Sequence, residues 1–228
     1  MLTTGLLLSE IINGAGYRSS RLMRAAHYTL FMTVLTWVVI SLIGFSMAWG
    51  AGTPMQAVKE TINEVLLVLG DEGLKDPARD AERQKKLEAI IKQRFDYEEM
   101  AKRTLAAKWK KLSAEQQQEF VGLFQRFLTQ TYAANIDGYS GEQVEYVKER
   151  LKGDFAEVQT IVVSPKVKIP LNYRLLKKHD KWGVYDVIID GVSLTKNYRS
   201  QFSRIIKSSS FDALLDKLRS KISLAASS

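Results

Sequence analysis

The stretch "VKIPLNYRLLKKHDKWGVYDVIIDG", Val167 to Gly191, decides the fold. Val167, Ile169, Leu171, Tyr173 and Leu175 fall on one side of a two-residue repeat, and Lys168, Asn172 and Arg174 fall on the other. That alternation is the pattern of a strand with one wet face. Pro170 has no N–H to give to a ladder, so a bulge or a sheet edge is expected at that point. "KKHDK" reads as a turn. Trp182 to Ile189 is apolar on both faces, which predicts a central strand covered on two sides. Asp190-Gly191 then makes a hairpin corner into Val192 and Leu194. The result is an antiparallel meander.

Upstream, Val144 and Tyr146 alternate with Gln143 and Glu145, and "AEVQTIVVS", Ala156 to Ser164, gives another strand closed by Pro165. Before Gln143 the period is helical. Met55 to Leu69 sets Val58, Ile62, Val65, Leu66 and Leu69 on one face, and Gly70 ends it. The charged segment "DEGLKDPARDAERQKK" leads into a second helix carrying Leu87, Ile90 and Ile91 ahead of Phe95. Asp96 with Glu99, and Ser113 with Gln116, have the spacing of capping boxes. The first opens a helix toward Trp109. The second opens the longest helix, to about Ile136, with the stripe Phe120, Val121, Phe124, Phe127, Leu128 and Tyr132. Two helices close the chain, Arg199 to Lys207 and Phe211 to Ile222. Helices followed by strands predict an α+β domain.

The start of the chain has a different character, because no Lys, Arg, Asp or Glu occurs between Arg24 and Lys59. Arg18, Arg21 and Arg24, the apolar run "LFMTVLTWVVISLIGFSMA" from Leu30 to Ala48, and the small residues Ala48, Gly50, Ala51 and Gly52 form the pattern of a secretory signal peptide. The run is also close to the ~20 residues of a spanning helix, so an uncleaved inner-membrane anchor is the alternative. A start at Met23 gives a more compact leader than a start at Met1. Residues 1–50 are accordingly expected to be an N-terminal extension with a signal peptide, and residues 51–228 the exported domain. Removing Arg18, Arg21, Arg24 and Glu10 from the 33 basic and 25 acidic residues leaves 30 and 24, a charge of +6. In a bacterial envelope that charge suits anionic lipid surfaces or acidic proteins and gives no reason to expect nucleic acid; interspersed as it is, it also serves plain solubility.

Bond chemistry has little to work with. There is no cysteine, and the histidines are His27 and His179. Ser193 in "GVSLT" resembles a nucleophile elbow until Thr195 occupies the place of its last glycine, and its only base after leader removal is His179 in a Lys-rich turn. Asp186 and Asp190 lie roughly 13 Å apart in an extended run, too far for a retaining carboxylate pair. Asp186 sits on an apolar strand and so requires partners, for which Arg199 and Tyr198 are the candidates. Nothing has metal-ligand spacing. No enzyme, metal or cofactor is expected.

Four blocks carry a resemblance in order and spacing: "FDYEEMAKRTL" near Phe95, "LSAEQQQEFVGLFQRFL" near Leu112, "PLNYRL" near Pro170, and "WGVYDVIIDGVSLTKNYRSQF" from Trp182 to Phe202. Across about residues 55–222 the chain resembles the MlaC family, the periplasmic lipid-transfer components of toluene-tolerance and lipid-asymmetry systems. That resemblance implies an α+β fold similar to nuclear transport factors, with N-terminal helices on a curved, mainly antiparallel sheet, enclosing an apolar cavity for the acyl tails of a glycerophospholipid. It implies a monomeric carrier, moving cargo between an outer-membrane lipoprotein complex and an inner-membrane ABC transporter. A small-molecule isomerase or dehydratase on a cone-shaped α+β fold, and a membrane-anchored envelope scaffold, are the alternatives. The candidates for the cavity wall are Val144, Tyr146, Val158, Leu171, Tyr173, Leu175, Val184, Val192 and Leu194 on the sheet side, Phe120, Phe124, Phe127, Leu128 and Tyr132 on the long helix, and Tyr198 and Phe202 beyond it. Each fits ordinary core packing as well. Asp186 and Arg199 are the polar candidates, for structural pairing or for a lipid phosphate.

Overall fold

The computed structural model describes residues 52–137, 141–165 and 167–225. The signal-peptide and anchor readings of residues 1–50 lie outside them. Four helices come first, α1 (Pro54–Gly70), α2 (Asp80–Arg94), α3 (Tyr97–Leu105) and α4 (Ala114–Asp137). The strands β1 (Gln143–Lys152), β2 (Phe155–Val163), β3 (Lys168–Lys178), β4 (Lys181–Ile189) and β5 (Val192–Ser193) follow, and α5 (Leu194–Ser208) and α6 (Phe211–Ala225) end the chain. The fold is α+β, as expected.

Local chemistry sets most of the boundaries. Thr53 Oγ1 accepts from the Gln56 amide at 3.1 Å, with Pro54 at the first helical position of α1. Asp96 Oδ1 accepts from the Glu99 amide at 2.9 Å, starting α3. Ser113 and Gln116 bond reciprocally at 3.3 and 3.1 Å and start α4. The second helix begins at Asp80, inside the charged segment, where only Leu87 is buried. Its support is a dipole pattern, Asp80 and Glu82 in the first turn and Lys92 and Arg94 in the last.

The sheet has the order β1-β2-β3-β4-β5, each pair antiparallel. Pro170 lies in the interior strand β3, opposite Ile161. On its other side the ladder with β4 begins only at Leu171, so β3 is locally an edge at Pro170, as a residue without an N–H requires, and the Pro170 carbonyl accepts from the Asp190 amide at 2.9 Å. The β3/β4 irregularity falls at Arg174/Leu175 instead. Asp190 (φ 46) and Gly191 (φ 80) turn β4 into β5 with both residues left-handed, which matches the strand twist. Val192 and Ser193 complete only a two-residue strand. The next helix begins at Leu194, earlier than the expected Arg199, because Ser193 Oγ accepts from the Lys196 amide at 3.2 Å.

Two buried clusters result. One joins α3, α4, α5 and α6 around Phe120, Phe124, Phe202 and Leu214 and reaches Tyr185 of β4. The other joins α1 through Ala57 and Val58 to Val158, Leu175, Val184 and Val187 of the sheet. Gly183 lets β4 approach the α2–α3 junction, where a Cβ would stand 3.2 Å from Asp96 Cβ. There the Asp96 amide donates to the Val184 carbonyl at 2.9 Å. Strand β4 is thereby covered on both sides, as its composition predicts.

Candidate functional site

Cross-strand partners share a sheet face, so the register assembles one apolar surface row by row. The innermost row is Ala156–Leu175–Val184, followed by Glu149–Val158–Tyr173–Val187. Next comes Tyr146–Thr160–Leu171–Ile189–Val192, and then Val144–Val162–Ile169. A register shift between Tyr146 and Lys148 puts Glu149, rather than Lys148, on this face. Its carboxylate accepts from the Met55 amide and ties β1 to the start of α1.

Burial of the apolar side chains is complete at one end of this surface and lost at the other. Val158 and Leu175, under α1, are 0 % exposed. Tyr146, Leu171, Tyr173 and Ile189 are half-buried and pack against the same cluster. Ile169 is 39 % exposed and Val192 56 %. This apolar face, core at one end and open to solvent at the other, is the candidate groove. Tyr132 and Phe95 touch both clusters, so α4 and the α2–α3 junction border the groove.

The groove's polar atoms are few. Thr160 Oγ1 is satisfied by the Leu171 carbonyl. Burial raises the Tyr173 phenol above the ordinary tyrosine range, and the neighbouring Tyr146 phenol adds to the effect. Burial raises Tyr146 as well. Both are neutral donors at physiological pH. Lys59 Nζ stands 5.7 Å over the Tyr146 ring, a cation beside the half-buried row.

The wall residues expected from sequence divide sharply. Val158, Leu175, Val184, Leu194, Leu171, Tyr173, Tyr146 and Tyr132 come together at the sheet cluster, and Val144 lies half-buried in the outer row. Val192 shares their face through its pairing with Ile189, but it does not sit in an enclosed wall, because the sheet stops at that two-residue strand. Phe120, Phe124, Leu128, Tyr198 and Phe202 lie elsewhere, in the helical cluster, with Phe127 packed against it. Phe120 and Phe124 stack at 5.6 Å, and Phe202 meets both edge-on at 5.9 and 5.8 Å. Rings satisfied by one another on every side are core. Ile189, Ile169 and Lys59 were not singled out from sequence. Ile169 belongs to the same alternation as Leu171 and was legible; Lys59 gives no local signal.

Asp186 is 1 % exposed and fully engaged. It accepts from Ser193 Oγ at 2.7 Å, from the Thr195 amide at 3.0 Å and from Arg174 Nη1 at 3.3 Å. The expected pairing with Arg199 or Tyr198 is corrected. Arg199 Nε donates to the Arg103 carbonyl at 2.7 Å on the exposed side of α5, and Tyr198 Oη faces Tyr132 Oη at 3.5 Å. Because α5 starts early, its first turn covers Asp186, and the carboxylate meets the positive end of the helix dipole. Ser193 is thus a helix cap. His179 lies beyond the other end of β4, about 23 Å away at ~3.3 Å per residue. Among the described residues no group of three or more potential ligands could hold a metal, and no helix is long and apolar enough to cross a membrane.

A sequence profile described as "MlaC protein" matches residues 59–220. The chain is 25 % identical over 127 residues to the intermembrane phospholipid transport system binding protein MlaC of Haemophilus influenzae, a match covering 53 % of this chain and 59 % of that protein. It therefore aligns with less than two thirds of that relative's length. A phospholipid-binding protein from Ralstonia solanacearum, solved in complex with a phospholipid, has a similar structure. Its TM-score is 0.67 at 25 % identity, covering 77 % of this chain and 99 % of that one. Both the matched span and the architecture place the chain in a single family: it belongs to the MlaC family.

Proposed function

We propose that residues 51–228 form a periplasmic phospholipid carrier that moves glycerophospholipids between outer-membrane and inner-membrane complexes. The observation that carries the proposal is the apolar sheet face running from fully buried Val158 and Leu175 to open Ile169 and Val192. A diacyl lipid has roughly 30 methylenes, and exposing them costs on the order of 20 kcal/mol at about 0.8 kcal/mol each. A carrier must hide the chains and can leave the head group in water. The groove offers such a surface, and no bond chemistry is required of it. Relatives named for phospholipid transport and phospholipid binding support the same reading.

The test is direct. The protein, exported by the cell and purified, is extracted with organic solvent, and the extract is analysed by mass spectrometry. About one phospholipid per protein is the expected result. A lipid-free protein that takes up no lipid from vesicles would overturn the proposal. N-terminal sequencing of the exported form checks cleavage after Ala48 or Gly50, and retention on membranes after an alkaline carbonate wash would show an anchor in its place.

A further inference from the structure

Away from the groove, on the helical side of the molecule, charge is segregated. Between Met100 and Ser113 the chain carries five basic residues and no acid, and between Val192 and Ser210 four basic residues and no acid. The fold brings the two stretches together. Arg199 Nε of α5 donates to the Arg103 carbonyl of α3 at 2.7 Å. Lys108, in the 3-10 helix Ala106–Lys111 that extends α3, stands 5.9 Å over the ring of Phe211, the first residue of α6. On α5, the side away from buried Leu194, Tyr198 and Phe202 presents Lys196, Arg199 and Lys207 at helical spacing. Lys108, Lys110 and Lys111 continue the patch across the 3-10 helix. Among the described residues none of these six pairs with a carboxylate, because the neighbouring acids are engaged: Glu99 holds Arg103, Lys102 and Lys178, and Glu119 and Asp216 hold Arg219. Glu98, Glu115 and Asp212 remain, in the first turns of α3, α4 and α6. The patch is left with an excess of positive charge.

Its composition narrows the partner. Specific protein interfaces are anchored by aromatic and apolar side chains, and lysine is depleted from them. Among the described residues the large apolar side chains that stay exposed belong to α1, the sheet with its loops and the end of α6, and none to α3, the 3-10 helix or α5. Five of the six unpaired cations are lysines, compact hydrated charges on flexible stems that need no fixed partner geometry. Such charges suit a surface whose anions move laterally. We propose that the face formed by α3, the 3-10 helix and α5 docks electrostatically on an anionic phospholipid surface, with head-group phosphates as its counter-ions. Helix α5 begins two residues after Val192, so the Lys196 end of the face lies beside the open end of the groove. The contact is one of charge alone, without an inserted apolar side chain, and it is separate from whatever the groove holds.

Flotation with vesicles tests the proposal. Exported, purified protein is mixed at low ionic strength with phosphatidylcholine vesicles or with equimolar phosphatidylcholine and phosphatidylglycerol vesicles. Wild type should float with the mixed vesicles, stay behind with the neutral ones, and be released in about 1 M salt, where charges are screened within roughly 3 Å. Lys110→Gln, Lys196→Gln and Lys207→Gln should each weaken binding about fivefold, and the triple variant roughly hundredfold, the effect of lysines beside an anionic surface. The control Lys85→Gln/Lys92→Gln/Lys152→Gln removes the same charge from exposed positions on α2 and β1 and should bind within roughly threefold of wild type. Thermal unfolding confirms that each protein is folded. Wild type that stays behind with both vesicles would overturn the proposal and turn the patch toward an acidic protein. Equal weakening in the two triple variants would overturn it in favour of net charge, and equal binding to neutral vesicles in favour of an apolar contact. Phospholipid extracted with the protein is measured separately, so each of these failures leaves the carrier reading standing.

Discussion

The helical cluster and the sheet face are built from the same kinds of side chain and end in opposite states. Around Phe120 and Phe124, rings from α4, α5 and α6 meet at 5.6 to 6.0 Å, each closing the next. On the sheet, α1 supplies Ala57 and Val58 over the inner rows and nothing comparable over Ile169 and Val192. Hydrophobicity is common to both regions, and the number of elements that cover each one separates them. Where several helices converge, apolar side chains become core. Where one helix covers part of a wide sheet, the remainder stays open to solvent.

The comparison breaks most visibly at Phe124. Phe124→Ala should cost about 3–5 kcal/mol of stability, read by denaturant unfolding, because the neighbouring rings cannot collapse into the space. Lipid captured per folded molecule should stay unchanged; a large loss of capture would make the helical cluster part of the groove. Asp186→Ala comes next, at about 2–4 kcal/mol, since Arg174 and the Thr195 amide lose a buried acceptor. Asp186→Asn, which keeps one carbonyl oxygen, should recover part of that loss.

Much of this was legible in the sequence because it rests on local chemistry. The alternation from Val167 to Leu175, the Asp190-Gly191 corner and the caps at Asp96 and Ser113 each act within a few residues. The start of α2 at Asp80 was hidden, because its first turns carry charge and no apolar stripe. The start of α5 was hidden by Leu194 and Thr195, which read equally well as strand. The site was legible in part. Alternation gives Leu171 and Tyr173, but which stripe is core depends on what packs over it. Phe120 to Tyr132 has the periodicity of a wall and the surroundings of a core, except at Tyr132, which reaches the sheet.

The helical core also has an alkaline signature. Burial pushes the Tyr97 phenol up to about 12. The folded protein keeps that proton while the unfolded chain loses it near pH 10, so the contribution is complete below pH 10 and lost as pH rises to 12. At pH 12 the loss is about 2–3 kcal/mol. Tyr146, Tyr173, Tyr185 and Tyr198 are raised in the same direction, so alkaline unfolding should be steep. Tyr97→Phe should gain stability relative to wild type between pH 10 and 12, measured by urea unfolding across that window. A constant difference from pH 8 to 12 would mean that the phenol is solvated.

The smallest effect on stability should come from the open end of the groove. Val192 is 56 % exposed, so Val192→Asp removes little buried area and should change stability by less than about 1 kcal/mol. Asp is too short to lift its charge clear of the surface, as Lys could, so a carboxylate would remain beside any chain lying across Ile189 and Leu171. Lipid capture from vesicles should therefore fall several-fold while the unfolding midpoint barely moves. Leu67→Asp is the control, since Leu67 of α1 is 74 % exposed and belongs to none of the groove's rows. If both variants capture lipid as wild type does, the exposed part of the sheet is ordinary surface, and the chains must lie elsewhere. If only Val192→Asp loses capture, exposure alone is not what matters: a solvent-facing valine on the apolar face acts on lipid, and an even more exposed leucine off that face does not.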